Sequence, residues 1–178
     1  MARYWTKPRI VFMVWAVVEL IGWLTTHFFF MDPRANWIWL VLSIIAFVPM
    51  VRYMPWRNRK LRNILVLWVV TVAVGMVVSF LAFEIPAMGI LAPNLGVFWL
   101  LLMGVAFFIN AAWWTPGLFI IGGIVQIVAG LIPLAFQNLL FYQYLIAAGA
   151  GTGAMLILLP NRPLRARRTR TRTRTPTA

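Results

Sequence analysis

Long apolar stretches separated by short polar ones run through this sequence from residue 10 to residue 159. The first, residues 10–31, reads IVFMVWAVVELIGWLTTHFFFM and carries one carboxylate, Glu19, near its middle. At a rise of about 1.5 Å per residue, a helix of this length extends about 33 Å, which is enough to cross a bilayer. The pattern therefore predicts a transmembrane helix with an acid near the centre of the bilayer.

Five further apolar stretches predict spans of the same kind. They are residues 36–51, 63–83, 96–114, 116–136 and 144–159. At two of the junctions, Asp32-Pro33 and Thr115-Pro116 have the order of a helix N-cap followed by proline at the first helical position. We therefore predict an all-α integral membrane protein in which residues 1–161 form one domain of six transmembrane helices.

Two segments depart from the pattern of long apolar spans. Residues 84–95, EIPAMGILAPNL, hold two prolines, one glycine and an acid but no basic residue, which predicts irregular backbone. This segment is either an apolar surface connection or a stretch that dips back into the protein, where other groups must satisfy its backbone. Residues 162–178 are rich in arginine and threonine, which predicts a disordered cytoplasmic tail.

Composition excludes most other classes of protein. With 63% hydrophobic and 11% charged residues, the chain has too much apolar surface for a soluble domain to bury. The sequence has no cysteine, one histidine (His27) and three carboxylates (Glu19, Asp32 and Glu84). Thiolate catalysis, iron–sulfur clusters and multi-histidine metal sites are excluded on these counts. We therefore expect a protein that is not an enzyme and that uses no metal and no cofactor.

The net charge of +13 fixes a predicted orientation rather than a nucleic-acid partner. Fifteen of the sixteen Lys and Arg residues lie in the amino terminus, in the connection between spans two and three, and in the tail. The positive-inside rule then places both termini in the cytoplasm of a protein of the inner (plasma) membrane. We expect the lipid bilayer, with anionic lipids at the cytoplasmic face, as the partner of this charge, and no nucleic acid.

Aromatic residues near the ends of the spans support the same orientation. Trp37, Trp39, Tyr142 and Tyr144 fall at the predicted outer boundary. Tryptophan and tyrosine are enriched at membrane–water boundaries, so these residues predict an interfacial belt.

A weak internal repeat relates the odd-numbered spans. A shift of 53 residues aligns Trp15 with Trp68 and Gly22 with Gly75. A shift of 107 residues aligns Glu19 with Gln126. These matches suggest three tandem helical hairpins, an arrangement in which polar residues at equal depth would face a common axis.

The repeat places a candidate ligand or ion path through the bundle. Glu19, Gln126 and Thr71 would meet near the midplane, and His27 and Glu84 would lie with Asp32 around an outer mouth. The alternative is that Glu19 is a polar clamp between helices. For Thr71, which lies on one stripe with Gly75 and Ser79, the alternative is a face for close helix packing.

Two functions remain open from the sequence. Six spans, a midplane acid and little soluble mass favour a transporter or channel for a small polar or cationic solute. Short connections and a small-residue sixth span, AAGAGTGA, favour instead a non-catalytic scaffold subunit of a larger membrane complex. The small-residue stripes are equally suited to homo-oligomers and to contacts with partner subunits.

Overall fold

The computed structural model describes residues 6–29, 32–53, 57–113 and 116–159, and these residues form helices joined by short turns. The α-helices are α1 (Thr6–Phe28), α2 (Arg34–Tyr53), α3 (Arg59–Glu84), α4 (Leu95–Trp113), α5 (Pro116–Ala135) and α6 (Gln143–Ile157). Together with the 3₁₀ turns before α4 and α6, all six are long and apolar enough to span a membrane. The predicted number of apolar helices is confirmed. The predicted tail, 162–178, lies outside the described residues.

The six helices form a closed bundle. Each helix packs on its neighbours in sequence, and α6 returns to pack closely on α1. We call the end of the bundle that holds the α1–α2 turn and the starts of α4 and α6 the Asp32 side. The opposite end holds the connection between α2 and α3, where the side chains of Arg52, Arg57, Arg59, Lys60 and Arg62 are exposed.

Close packing depends on glycines that face large side chains. A Cβ added to Gly122 would lie 2.7 Å from the Phe107 ring, and one added to Gly104 would lie 2.6 Å from Ile127. These contacts bring α4 and α5 together in the way that small residues commonly permit in membranes. In α6, Ala147, Ala148, Gly151 and Ala154 are buried, whereas Gly149 and Gly153 have open space beside them.

The 84–95 segment is regular rather than irregular, and this corrects the prediction from sequence. Pro86–Asn94 forms a 3₁₀ helix that leads directly into α4. Its junction with α4 is fastened by the fully buried side chain of Gln143. The Gln143 Nε2 donates to the carbonyl of Pro93 at 2.6 Å, and its Oε1 accepts the backbone N–H of Val97 at 3.2 Å.

The core is built around tryptophan. Trp15, Trp23, Trp39, Trp68 and Trp99 are all less than 10% exposed. Two residues predicted for the interfacial belt, Trp39 and Tyr144, point into the bundle and are buried. The other two, Trp37 and Tyr142, are 62% and 48% exposed.

Candidate functional site

Glu19 is buried in the middle of α1, with 3% of its surface exposed. Its Oε2 accepts a hydrogen bond of 2.5 Å from the indole N–H of Trp23, one turn further along the same helix. A Cβ added to Gly151 of α6 would lie 2.8 Å from the same oxygen, so the missing side chain at Gly151 leaves room for the carboxyl. An ionised carboxylate here has a neutral indole as its donor and is costly unless a proton or a cation compensates the charge.

Trp23 belongs to a cluster of four buried aromatic rings on the Asp32 side. Its ring centroid lies 4.6 Å from that of Trp39, 6.4 Å from that of Trp99 and 6.0 Å from that of Tyr144. Trp39 and Trp99 are stacked at 6.3 Å with an interplanar angle of 15°. Helices α2, α4 and α6 thus each contribute one ring near their start, and α1 contributes the ring that touches all three. We call these four residues the aromatic cluster.

Two rings of the aromatic cluster are held by the same pair of contacts, one with a glycine and one with a hydroxyl. The Trp39 ring lies where a side chain at Gly22 would be, and its indole N–H donates to the Thr26 hydroxyl at 2.7 Å. The Trp99 ring lies against Gly75 in the same way, and its N–H donates to the Ser79 hydroxyl at 2.9 Å. In both cases a glycine admits the ring and a hydroxyl one turn later fixes it.

The aromatic cluster lines a narrow cleft that opens toward Asp32. The cleft has a volume of about 20 Å³, which is enough for a water molecule. Its lining residues are Trp23, Thr26, Phe29, Asp32, Ala35, Asn36, Trp39, Ser79, Phe83, Leu95, Trp99 and Tyr144. Glu19 is not among the lining residues, but Trp23, which lines the cleft, donates its indole N–H to the Glu19 carboxyl.

Asp32 stands at the rim of the cleft and confirms the predicted cap of α2. Its Oδ1 accepts the backbone N–H of Arg34 at 2.8 Å, and its Oδ2 forms a salt bridge with the exposed Arg34 guanidinium. These hydrogen bonds from Arg34 lower the pKa of the Asp32 carboxyl below its usual value. The guanidinium carbon of Arg34 also lies 5.8 Å from the centroid of the Phe29 ring, so the rim already holds one cation on an aromatic face.

We expect Arg34→Gln to raise the pKa of Asp32 toward the ordinary aspartate value, because the side-chain hydrogen bond and the nearby positive charge are lost. In the wild type, the stabilisation from this pair is present above the unfolded-state pKa and disappears as the pH falls through the lower folded-state pKa. Asp32 is the sole aspartate in the sequence, so a ¹³C-carboxyl aspartate label gives one titrating resonance. Arg52→Gln, at the opposite end, is the control. An unchanged titration in Arg34→Gln would contradict the assigned pairing.

Thr71 and Gln126 are buried beside α4, at a level one turn beyond the aromatic cluster. Thr71 lies between Trp68, whose ring packs on Phe107 at 5.3 Å, and Gly75, which contacts Trp99. Its hydroxyl donates to the carbonyl of Leu67 in its own helix at 2.8 Å.

Gln126 flanks α4 from α5 at about the same level. It is 2% exposed and lies midway between Gly122, which contacts Phe107, and Gly130, which contacts Leu100 and Leu101. None of the hydrogen bonds within the described part of the chain joins Glu19, Thr71 and Gln126 to one another. The three side chains therefore share a depth but are not in hydrogen-bond contact.

His27 and Glu84 lie away from the cleft. The His27 ring packs edge-on against Phe141 at 5.3 Å, and its buried Nδ1 has no partner among the described residues. Glu84 is exposed at the end of α3. Of the two acids predicted around the outer mouth, Asp32 lines the cleft and Glu84 is not among the lining residues.

Asn110 is a further polar residue inside the bundle, near the end of α4 that is remote from Asp32. It is 1% exposed, and neither its Nδ2 nor its Oδ1 has a hydrogen-bond partner within the described ranges. An unpaired buried amide costs about 1–3 kcal/mol, so a hydrogen-bonding partner at this side chain would stabilise the bundle. No group of three His, Asp or Glu side chains that could share a metal ion occurs in the part of the chain that the structure describes.

Comparison with protein-family models, curated proteins and solved structures gives no match to this chain. The site must therefore be interpreted from its own residues.

Sequence reasoning found Glu19 but missed the aromatic cluster. One signal was present: Thr26 and Ser79 are separated by the same 53 residues as Gly22 and Gly75, and Trp39 and Trp99 follow in the next spans. A hydroxyl one turn after each repeated glycine, with a tryptophan on the following helix, is a pattern that the aligned hairpins contain.

Proposed function

We propose that this protein carries or conducts a small cation across the membrane, and that the cation reaches Glu19 through the cleft beginning at Asp32. The observation that carries this proposal is that Trp23 both lines the cleft and donates a hydrogen bond to the buried Glu19 carboxyl. A buried acid of this kind is expensive to keep in a membrane span and is commonly part of an ion or proton path. Trp23 is the barrier on this path, because its ring must move before a solute in the cleft can touch Glu19.

Polar groups beyond Glu19 extend the proposed path toward the other end of the bundle. Thr71 and Gln126 are buried at about the depth of Glu19, and Asn110 lies further along α4 with its amide unpaired among the described residues. In this proposal a solute passes Glu19, Thr71 and Gln126 at one depth and Asn110 closer to the far end of the bundle. The exposed arginines and lysine at the Asn110 end suit the cytoplasmic face of the membrane, and we propose on this ground that the Asp32 side faces outward.

We further propose that the bundle consists of three tandem hairpins, α1–α2, α3–α4 and α5–α6. In each of the first two, a tryptophan of the second helix packs on a glycine of the first and donates to a hydroxyl one turn later. They also share an edge-on ring pair, Trp15 with Phe47 at 5.2 Å and Trp68 with Phe107 at 5.3 Å. In the third hairpin, Tyr144 corresponds to Trp39 and Trp99 of the first two, and its ring also packs on Trp23. This arrangement puts the site where the hairpins meet, as in other transporters built from repeats.

A scaffold subunit is the alternative function, and one feature of α2 favours it. Trp37, Val41, Ile44 and Val48 recur at helical spacing and are each 57–62% exposed, which gives α2 one continuous apolar face. Lipid tails can cover such a face, but so can a helix of a partner subunit.

The test is cation flux into vesicles that contain the purified protein. We expect a monovalent-cation gradient to set up a membrane potential, read by a voltage-sensitive dye, that vesicles without protein do not develop within the same time. Absence of flux for every cation, together with efficient capture of one partner by a photo-crosslinker at Ile44 in native membranes, would favour the scaffold function instead.

A further inference from the structure

The walls of the cleft are chemically one-sided. All three indole N–H donors of the aromatic cluster are already used, by Glu19, Thr26 and Ser79. The cleft also presents ring faces, the hydroxyls of Thr26 and Ser79, the Tyr144 phenol and, at its rim, the Asp32 carboxylate. The Asn36 amide in its wall already donates to the Ser79 carbonyl. Ring faces and a carboxylate attract cations, so the cleft favours a cation over an anion.

The cleft has room for a small cation. Its volume of about 20 Å³ is enough for a particle of the size of one water molecule. An ammonium ion has about that size. The Trp39 and Trp99 rings have centroids 6.3 Å apart, so a quaternary ammonium with four methyl groups would have to push them apart to lie between them.

The shape of the binding groups favours an ammonium ion over a metal ion. Alkali metal ions in proteins are held where many oxygens replace the hydration shell. Here the oxygen acceptors are few and lie among aromatic rings, so N–H donors that bond the oxygens while the positive charge rests on the rings fit better. The Arg34 guanidinium beside Asp32 and Phe29 is held at the rim by this same combination of carboxylate and ring face.

We propose that the cleft binds a small ammonium ion, either ammonium itself or methylammonium, between the aromatic cluster and the hydroxyls of Thr26 and Ser79. This inference rests on the proposed function, since it names the substrate class of the same site. Asp32 attracts the ion to the rim, where the ion competes with Arg34 for the carboxylate.

The test uses the full-length protein in phosphatidylcholine nanodiscs, with tryptophan fluorescence as the readout. Chloride salts of ammonium, methylammonium, potassium, sodium and tetramethylammonium are titrated at constant ionic strength. We expect saturable changes with ammonium and methylammonium at concentrations about tenfold or more below those needed for the other three. Vesicle uptake of ¹⁴C-methylammonium, competed by ammonium, gives a second readout that does not depend on fluorescence.

Two pairs of variants locate the ion. Asp32→Asn keeps a side chain that can cap α2 but loses the charge, and we expect it to weaken ammonium binding about tenfold. Glu84→Gln removes an acid from the same side of the bundle but outside the cleft, and it should bind like the wild type. Thr26→Val should lose binding, whereas Thr26→Ser, which keeps the hydroxyl, should retain it even if both variants are less stable.

Four results would overturn the inference. Equal responses to all five salts would mean that the cleft is not a site for ammonium. Tightest binding of tetramethylammonium would mean that the rings separate to form a larger cage. Flux of potassium or sodium without any ammonium binding would leave the proposed function standing and remove only the substrate class, whereas absence of both binding and flux for every cation would remove both.

Discussion

We expect Glu19→Gln to lower the rate of cation uptake into vesicles by about 10- to 100-fold while the protein keeps its fold. The glutamine carbonyl can still accept the Trp23 indole N–H, and the side chain has the same length beside Gly151. What it loses is the ability to carry a negative charge opposite a passing cation. Hydrogen bonds to charged groups contribute about 1.5–3 kcal/mol, and about 1.4 kcal/mol corresponds to a factor of ten.

Two further variants separate a transport role of Glu19 from a structural one. Glu19→Ala leaves the Trp23 N–H without its acceptor, which should cost about 1–3 kcal/mol of stability in addition to activity. Glu84→Gln controls for the loss of a carboxylate as such. If Glu19→Gln transports like the wild type while Glu19→Ala unfolds more readily, the role of Glu19 is structural, as the acceptor that holds the Trp23 ring, and the proposed path is wrong.

The largest effect on stability should come from Gly75→Ala. The added methyl group would lie 2.3–2.6 Å from three atoms of the Trp99 ring. This ring cannot turn away easily, because its N–H is bonded to Ser79 and its face is stacked on Trp39. Overpacking of a tight site costs about 1–3 kcal/mol, which should appear as earlier unfolding in mixed micelles of mild detergent and dodecyl sulfate.

Gly153→Ala is the matched control for this experiment. It adds the same methyl group in the middle of a helix, but no neighbour lies within 4 Å of the new atom. We expect its unfolding midpoint to equal or exceed that of the wild type, because alanine favours helix more than glycine does. Equal midpoints for Gly75→Ala and Gly153→Ala would show that the Trp99 ring is free to move, against the tight packing described above. The tandem-hairpin proposal adds that Gly22→Ala, which meets Trp39 at 2.6 Å, should behave like Gly75→Ala.

The helices could be predicted because a membrane span requires a long apolar stretch, and each such stretch is visible in the local sequence. The segment before α4 could not, since its two prolines and glycine are equally compatible with irregular backbone and with a 3₁₀ helix. What decides between them is a contact with Gln143, which lies 50 residues after Pro93 and has no local signature.

Glu19 could be predicted as a central residue because one acid in a membrane span stands out. The aromatic cluster could not be recognised from composition, since tryptophan near a span end is as common at the lipid boundary as in a core. Which way a ring points depends on the glycine it meets on another helix. The rotation between successive residues of a helix also explains why Glu84 lies outside the cleft. Glu84 is five residues, or about 140° around the helix, from Ser79, so the two side chains cannot face the same cleft.

The two hydrogen bonds that Gln143 forms at the start of α4 have a consequence for biosynthesis. The amide that satisfies Pro93 and Val97 belongs to the last helix, so it leaves the ribosome some 50 residues after them. Until then the Pro93 carbonyl and the Val97 N–H lack these two hydrogen bonds at the entrance to the fourth span. Completion of this junction is therefore coupled to insertion of α6. A chain that ends before Gln143 should be recognised as unfinished and degraded, even though five of its spans are already in the membrane.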